Sequence, residues 1–310
     1  MDTEVSSALS TLELDPQNKD ARAAIFRHVD PDREGGEKLA AALAAARVFH
    51  TERGNAELGL ELLDRELAVT LDKRARAGLL VEKGRVLFYE FARANDAVEQ
   101  LREALELVQG HPEAGELLRK IQDEEAEWEK TAQTRLKQAK EGGGNRLTAA
   151  PHYAAAGELY LKYRPSSDDG ESYLARAIEI DPKQKRSEML LERLYRASNR
   201  IGDLANLYER RVSTATSNDE RAAAEVLSAE VALEQGDEAG ALERFRRALA
   251  ASPAEPRALH RVIAALAADE NWAELAKTYE NALRVTKRGP GELAILVPLA
   301  AVTWRKLDNL

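Results

Sequence analysis

Apolar residues recur along most of the chain at i, i+3 or i+4, in stretches broken by short polar turns. That spacing predicts amphipathic helices of about 12–16 residues rather than strands. The tidiest stripes are Ala241, Phe245, Ala248 and Leu275, Tyr279, Ala282; looser ones are Ala97, Leu101, Ala104 and Gly59, Leu63, Glu66. Several stripes end in one phrase, a small residue, Leu or Ile, any residue, an apolar residue, then a polar pair closing on Pro. It occurs at Thr11–Pro16 (TLELDP), Ala177–Pro182 (AIEIDP) and Ala248–Pro253 (ALAASP), with looser copies starting at Ala104 and Ala282.

The third stripe position falls at Glu66, Ala104, Ala139, Ala177, Arg211, Ala248 and Ala282, with gaps of 38, 35, 38, 34, 37 and 34 residues. A period near 34 belongs to helix–turn–helix solenoids. Long and short gaps alternate, so two units form a larger repeat: Ala177 and Ala248 lie 71 residues apart, as do Tyr208 and Tyr279. Trp128 and Trp272 are 144 apart, about two double units, and WEKTA at Trp128 is similar to WAELA at Trp272. This predicts a repeat unit, not one long helix, within 113–141.

The unit resembles a tetratricopeptide (TPR) repeat. The best copy is Pro256–Gly289, with Leu259, Val262, Ile263 and Leu266 on its first helix and Leu275, Tyr279 and Ala282 on its second. A second copy has Ala156-Gly157 and Tyr160 where the family has Leu-Gly and Tyr, then Leu174, Ala177 and Pro182. A third has Gly236, Asp237, Ala241, Phe245, Ala248 and Pro253. The resemblance covers roughly 37–310 and is stronger after 150; the family's first-helix Trp is mostly missing. It implies an all-α fold, a right-handed α-solenoid of stacked antiparallel helix pairs.

The physics requires the stack whatever the family. Neither helix of a pair can bury its stripe alone, so stability comes from the array. Alanine at the crossings lets helices approach, and Phe245, Tyr279 and Leu174 fill the space to the next unit. The SNDE sequence at Ser217–Glu220 is a capping-box pattern. The chain divides by this reading into an N-terminal helical piece (1–35), N-terminal repeats (36–141), a Gly-rich hinge (142–150, around Gly142–Asn145) and C-terminal repeats (151–310). Gly291–Leu310 reads as an apolar first helix without a second, so the array is expected to be cut from a longer solenoid or to pair with something there, including a second copy.

Composition narrows the function. Gly and Pro are scarce (18 and 10 of 310), and there is no Cys, which removes disulfides, thiolate metal sites and Cys nucleophiles. A net charge of −9 makes a poor default surface for nucleic acid or anionic membrane. Charge is uneven, net −5 over 113–129 and net +4 over 183–211. No apolar run reaches the length of a membrane span and the N-terminus lacks a signal-peptide pattern, so a cytoplasmic protein is expected. The composition points to a bacterial, high-GC source.

Catalytic motifs fail. The five His residues show no metal-ligand spacing, and no nucleotide-binding or nucleophile-elbow motif occurs. A calcium-loop start at Asp30 has Ala41 where the bidentate Glu belongs. No catalytic residue, metal or cofactor is expected. A protein–protein interaction scaffold binding a partner protein or acidic peptide on its concave surface is the leading reading. A half-TPR scaffold of an RNA-processing assembly is the alternative, without direct RNA contact. The resemblance implies that first helices line the concave face. That assigns Arg257 and His260 to it, with Arg186, Met189 and Arg193 one double unit earlier, Arg196 nearby, and Glu230 and Glu234 between. Forked guanidinium donors suit carboxylates. The family's carboxylate clamp also uses Asn on these helices; no matching Asn is present, so that function does not carry over.

Overall fold

The computed structural model describes residues 3–14, 16, 18–27, 36–141 and 146–307, and among them the regular structure is helical, without a strand. Short turns join consecutive helices into antiparallel pairs. They are α1 (Thr3–Leu14) with α2 (Lys19–Arg27), α3 (Gly36–Glu52) with α4 (Ala56–Val69), and α5 (Lys73–Tyr89) with α6 (Ala94–Leu107). After α7 (Pro112–Glu141) and a 3-10 turn (Arg146–Ala149) come α8 (Ala150–Tyr163) with α9 (Asp169–Ile180) and α10 (Lys185–Ala197) with α11 (Ile201–Thr214). Then follow α12 (Asn218–Glu234) with α13 (Glu238–Ala251), α14 (Pro256–Ala268) with α15 (Trp272–Val285), and α16 (Pro290–Lys306). The chain is a TPR-like all-α helical repeat. It forms two compact units, Met1–Leu191 and Glu192–Leu310, whose boundary falls within α10.

The stripe register is the burial register. Ala104, Ala177, Ala248 and Ala282 are wholly buried, and Ala139 is buried as well. In the first unit, Val5, Leu9, Leu12 and Ile25 of α1–α2 share a core with Leu43, Leu58 and Leu62 of α3–α4. A second core there joins α4–α7 through Leu80, Phe88, Leu101 and Ile121. In the second unit Val226, Phe245, Val262 and Leu275 form the core of α12–α15. Phe245 is 2% exposed. Tyr279, expected to be as deeply buried, lies at the edge of this core and is only half-buried.

One expectation is overturned. Residues 113–141 do not hold a helix pair: α7 is one helix of 30 residues. After Pro112 it contains no proline and a single glycine, Gly115 in its first turn, and Ala114, Leu117, Ile121, Trp128, Ala132 and Ala139 keep one buried stripe throughout. The Trp128 sequence therefore lies in mid-helix, whereas Trp272 opens α15. The hinge glycines Gly142–Gly144 and the break before Gly36 lie outside the described residues.

Turns repeat with the helices. A residue with positive φ follows the first helix at Gly54, Ala92, Asn199, Gly236 and Glu270. The next amide closes the turn onto the helix behind it, Asn55 to the His50 carbonyl, Arg200 to Tyr195, Asp237 to Ala232 and Asn271 to Leu266, at 2.8–2.9 Å. This left-handed helix end satisfies otherwise orphaned carbonyls. Second helices open on side-chain caps in several pairs: Asp237 accepts from the Gly240 amide at 2.9 Å and Asn271 from Glu274 at 3.3 Å. Ser217 caps α12 by accepting from the Glu220 amide at 3.1 Å, while Glu220 reaches back to the Thr216 amide and hydroxyl. At the α8–α9 crossing a Cβ on Gly157 would lie 2.8 Å from the Leu174 side chain and 2.9 Å from the Gly170 carbonyl. Only glycine permits that approach, which accounts for Gly157 at the repeat's Leu-Gly position.

Candidate functional site

Arg186 stands in the first turn of α10. Its guanidinium donates to both carboxylate oxygens of Glu158 on α8, at 3.4 and 3.0 Å. The same group donates to the Glu90 carbonyl at 3.0 Å and to the Tyr89 carbonyl, at the C-terminus of α5. Cations are favoured at a helix C-terminus because its carbonyls are unpaired and partially negative. Arg186 thus links α5, α8 and α10 within the first unit and keeps one-third of its side chain exposed. Met189, three residues on, is half-buried.

In the second unit Arg257, in the first turn of α14, donates to Glu230 on α12 at 2.9 Å, with Glu255 at 3.8 Å. The sequence assigned both Arg257 and Glu230 to one face; the structure makes them partners. His260, one turn along, is exposed. Arg186 and Arg257 are 71 residues apart, one double unit, and their carboxylates Glu158 and Glu230 are 72 apart. Each pair therefore joins first helices of neighbouring units at the same repeat position.

Arg193 is buried, at 8% exposure, so its fork is not on the surface. Arg196 donates to the Tyr208 hydroxyl at 2.7 Å, Tyr208 donates to Glu192 at 2.7 Å, and Arg211 donates to the other Glu192 oxygen at 3.0 Å. Burial, then the Glu192 carboxylate, pushes the Tyr208 phenol well above the ordinary tyrosine range, so it remains a neutral donor. Arg211 also lies over the Tyr208 ring, 5.2 Å from its centroid. This cluster fastens α10 to α11.

Sequence reasoning missed an aromatic cluster in the first unit. Trp128 on α7 meets Tyr160 edge-on at 5.3 Å and stacks on Tyr163 at 5.9 Å. Tyr160 meets Tyr173 at 5.4 Å, and Tyr173 stacks on Tyr153 at 6.3 Å. Burial raises the Tyr173 phenol, with Tyr160, Asp169 and Tyr153 adding to the effect. Beside the cluster, Lys162 is buried against the Phe88 ring and donates to Glu124 at 3.0 Å, as does Tyr163 at 3.1 Å. Glu129 pairs with Arg164, which lies over Trp128. Part of the acidic run of 113–129 is thus taken up by α8. The spacing of Tyr153 and Tyr160, two turns apart on one helix, was the available signal.

Among the described residues no group of three or more His, Asp or Glu side chains could hold a metal ion. Among the described residues no helix is long and apolar enough to cross a membrane.

Similar solved structures are TPR-repeat proteins. The TPR domain of P58(IPK) is 16% identical, with 98% of this chain and 100% of that one covered and a TM-score of 0.29. A tetratricopeptide repeat protein from Parabacteroides merdae is 14% identical, covering 86% and 100%, with a TM-score of 0.27. Yeast Tom70 is 13% identical, covering 98% and 70%, with a TM-score of 0.32. Likeness at this level says nothing of partner or activity, and the fold assignment rests on the helix pairs themselves. No family model and no curated protein matches the chain.

Proposed function

We propose that this protein is a non-catalytic interaction scaffold, binding an acidic segment of a partner protein along its first helices. The observation that carries the reading is the repeated guanidinium position, Arg186 and Arg257, each part-exposed and each already holding a carboxylate. A site that grips Glu158 and Glu230 has the fork geometry for a partner's Asp or Glu. Part-exposed ion pairs contribute only about 0–1 kcal/mol, so an incoming carboxylate exchanges for the resident one at little cost. Arg196 sits deeper, held by Tyr208 and Glu192, and Met189 and His260 supply neighbouring non-acidic contacts.

The test is fluorescence anisotropy with a labelled ten-residue Asp/Glu peptide and a Lys/Arg peptide of equal length. The acidic peptide is expected to bind, less tightly as salt rises, because exposed charges are screened beyond about 8–10 Å. Arg257→Glu is expected to weaken binding about tenfold or more, as loss of a charge-assisted pair does, with helicity unchanged by circular dichroism. Equal affinity for both peptides, or for the variant and the parent, defeats the acidic-ligand reading. Capture of partners from lysate that ignores Arg186→Glu/Arg257→Glu removes these residues from the interaction surface.

A further inference from the structure

Helix α16 is fixed to the second unit by one face. Ile295 is buried, Val302 packs on the α12–α15 core, and Lys306 lies over the Trp272 ring at 4.5 Å. Its opposite face is apolar and open: Leu293, Val297 and Trp304 are 61, 67 and 61% exposed, and Ala300 between them is exposed too. Other large apolar side chains at the surface, such as Val48, Leu71 and Val285, stand on other helices or in turns.

The spacing of the open row decides what fits it. Leu293, Val297, Ala300 and Trp304 follow steps of four, three and four residues. That is the seam of a helix packed in coiled-coil fashion against another helix. Steps of 4-3-4 read the same in both directions. An antiparallel copy centred between Pro298 and Leu299 therefore sets Leu293 against Trp304 and Val297 against Ala300, twice over. Small Ala300 opposite Val297 lets the two helices close at the middle, and the larger Leu–Trp contacts fall at the ends.

Charge selects the same arrangement. The acidic residue of α16, Glu292, is in its first turn and the basic ones, Arg305 and Lys306, are in its last. Antiparallel pairing brings the Glu292 end of one copy to the Arg305 end of the other and opposes the two helix dipoles; parallel pairing gathers like charges at each end. We propose that α16 is a self-association helix, and that its occupant is α16 of a second copy of this chain, related by a two-fold axis. The seam of a 17-residue helix is only about 25 Å long, so the dimer forms reversibly with concentration.

Sedimentation velocity over about 1–200 µM is the first test, bracketing the micromolar affinities of small interfaces. A shift from monomer to dimer is expected. Val297→Glu is expected to raise the dissociation constant about a hundredfold, since each dimer loses two central seam contacts. Val297 is two-thirds exposed, so the variant should keep the parent's circular dichroism and melting temperature. The parent chain has no Cys, which allows a direct test of direction. Leu293→Cys and Trp304→Cys proteins are oxidised separately and mixed. The mixture alone is expected to form disulfide dimers, because like positions lie roughly 16 Å apart along an antiparallel seam. A monomer throughout the range, a dimer indifferent to Val297→Glu, or cross-links between like positions overturns the proposal.

Discussion

Glu66 and Arg211 occupy stripe positions that alanine holds in most other repeats, and each has a partner. Glu66, buried on α4, accepts from Arg47 at 2.7 Å, and Arg47 turns a second nitrogen to Glu82. Arg211 escapes the core by lying over Tyr208 and bonding Glu192. The sequence shows both exceptions but not their compensation, because the partners lie 19 residues away in each case. His50 has no such partner. It is fully buried at the end of α3, and neither ring nitrogen has a hydrogen-bond partner among the described residues. Burial lowers its pKa below 6.5, against an opposing pull from Glu13. The unfolded chain then binds the proton more readily than the folded one. The stability His50 contributes is complete above about pH 6.5 and is lost as pH falls through the lowered folded value, at up to about 1.4 kcal/mol per pH unit. Urea unfolding at pH 7.5 and 5.5 should show this loss in the parent and a smaller one in His50→Leu. Equal pH dependence in both would mean that His50 binds its proton as readily in the folded chain as in the unfolded one.

At the scale of elements, the left-handed turn that closes α3, α5, α10, α12 and α14 is the most regular local feature, and it uses whatever residue is there. Successive positive-φ positions fall 38 residues apart from Gly54 to Ala92, 37 from Asn199 to Gly236 and 34 from Gly236 to Glu270. Gly and Asn are the residues expected at such a site; Ala92 and Glu270 adopt it against their own preference, held by the pairing of helices on either side. Glu270 is exposed, so its side chain contributes little in return. Glu270→Gly should stabilise the protein by about 0.5–1 kcal/mol, the left-handed penalty less glycine's extra chain entropy. A higher urea midpoint at constant m-value checks it; an unchanged or lower midpoint would show that the turn carries no strain. Neither residue betrays its conformation in the sequence. Gly54 and Gly236 do, and so does the Ser217 cap.

For the whole molecule, burial falls into separate cores within each unit. Phe245→Ala should cost about 3–5 kcal/mol and act locally, as in arrays where each repeat touches only its neighbours. Hydrogen exchange should accelerate in α12–α15 and stay unchanged in α3–α6. Uniform acceleration throughout would show that the chain unfolds as one cooperative block.

The sequence by itself determined the all-helical repeat, because period and burial are one thing: the stripe faces the core, and the alanines at its third position are buried. It also marked Arg186 and Arg257 as equivalent, since their 71-residue separation is a property of the repeat. Tertiary structure alone decided the rest. A Trp that opens α15 and a Trp in the middle of α7 have similar local sequences; what separates them is the left-handed turn at Glu270 just before Trp272, against a buried stripe that runs unbroken through Trp128. Tyr153, Tyr160, Tyr173 and Trp128 come together only once α7, α8 and α9 pack. The carboxylates that occupy Arg186 and Arg257 are 28 and 27 residues away, beyond the i, i+3 and i, i+4 reach of a single helix. Side-chain partners across helices depend on which faces meet, and that is fixed by packing rather than by any local pattern.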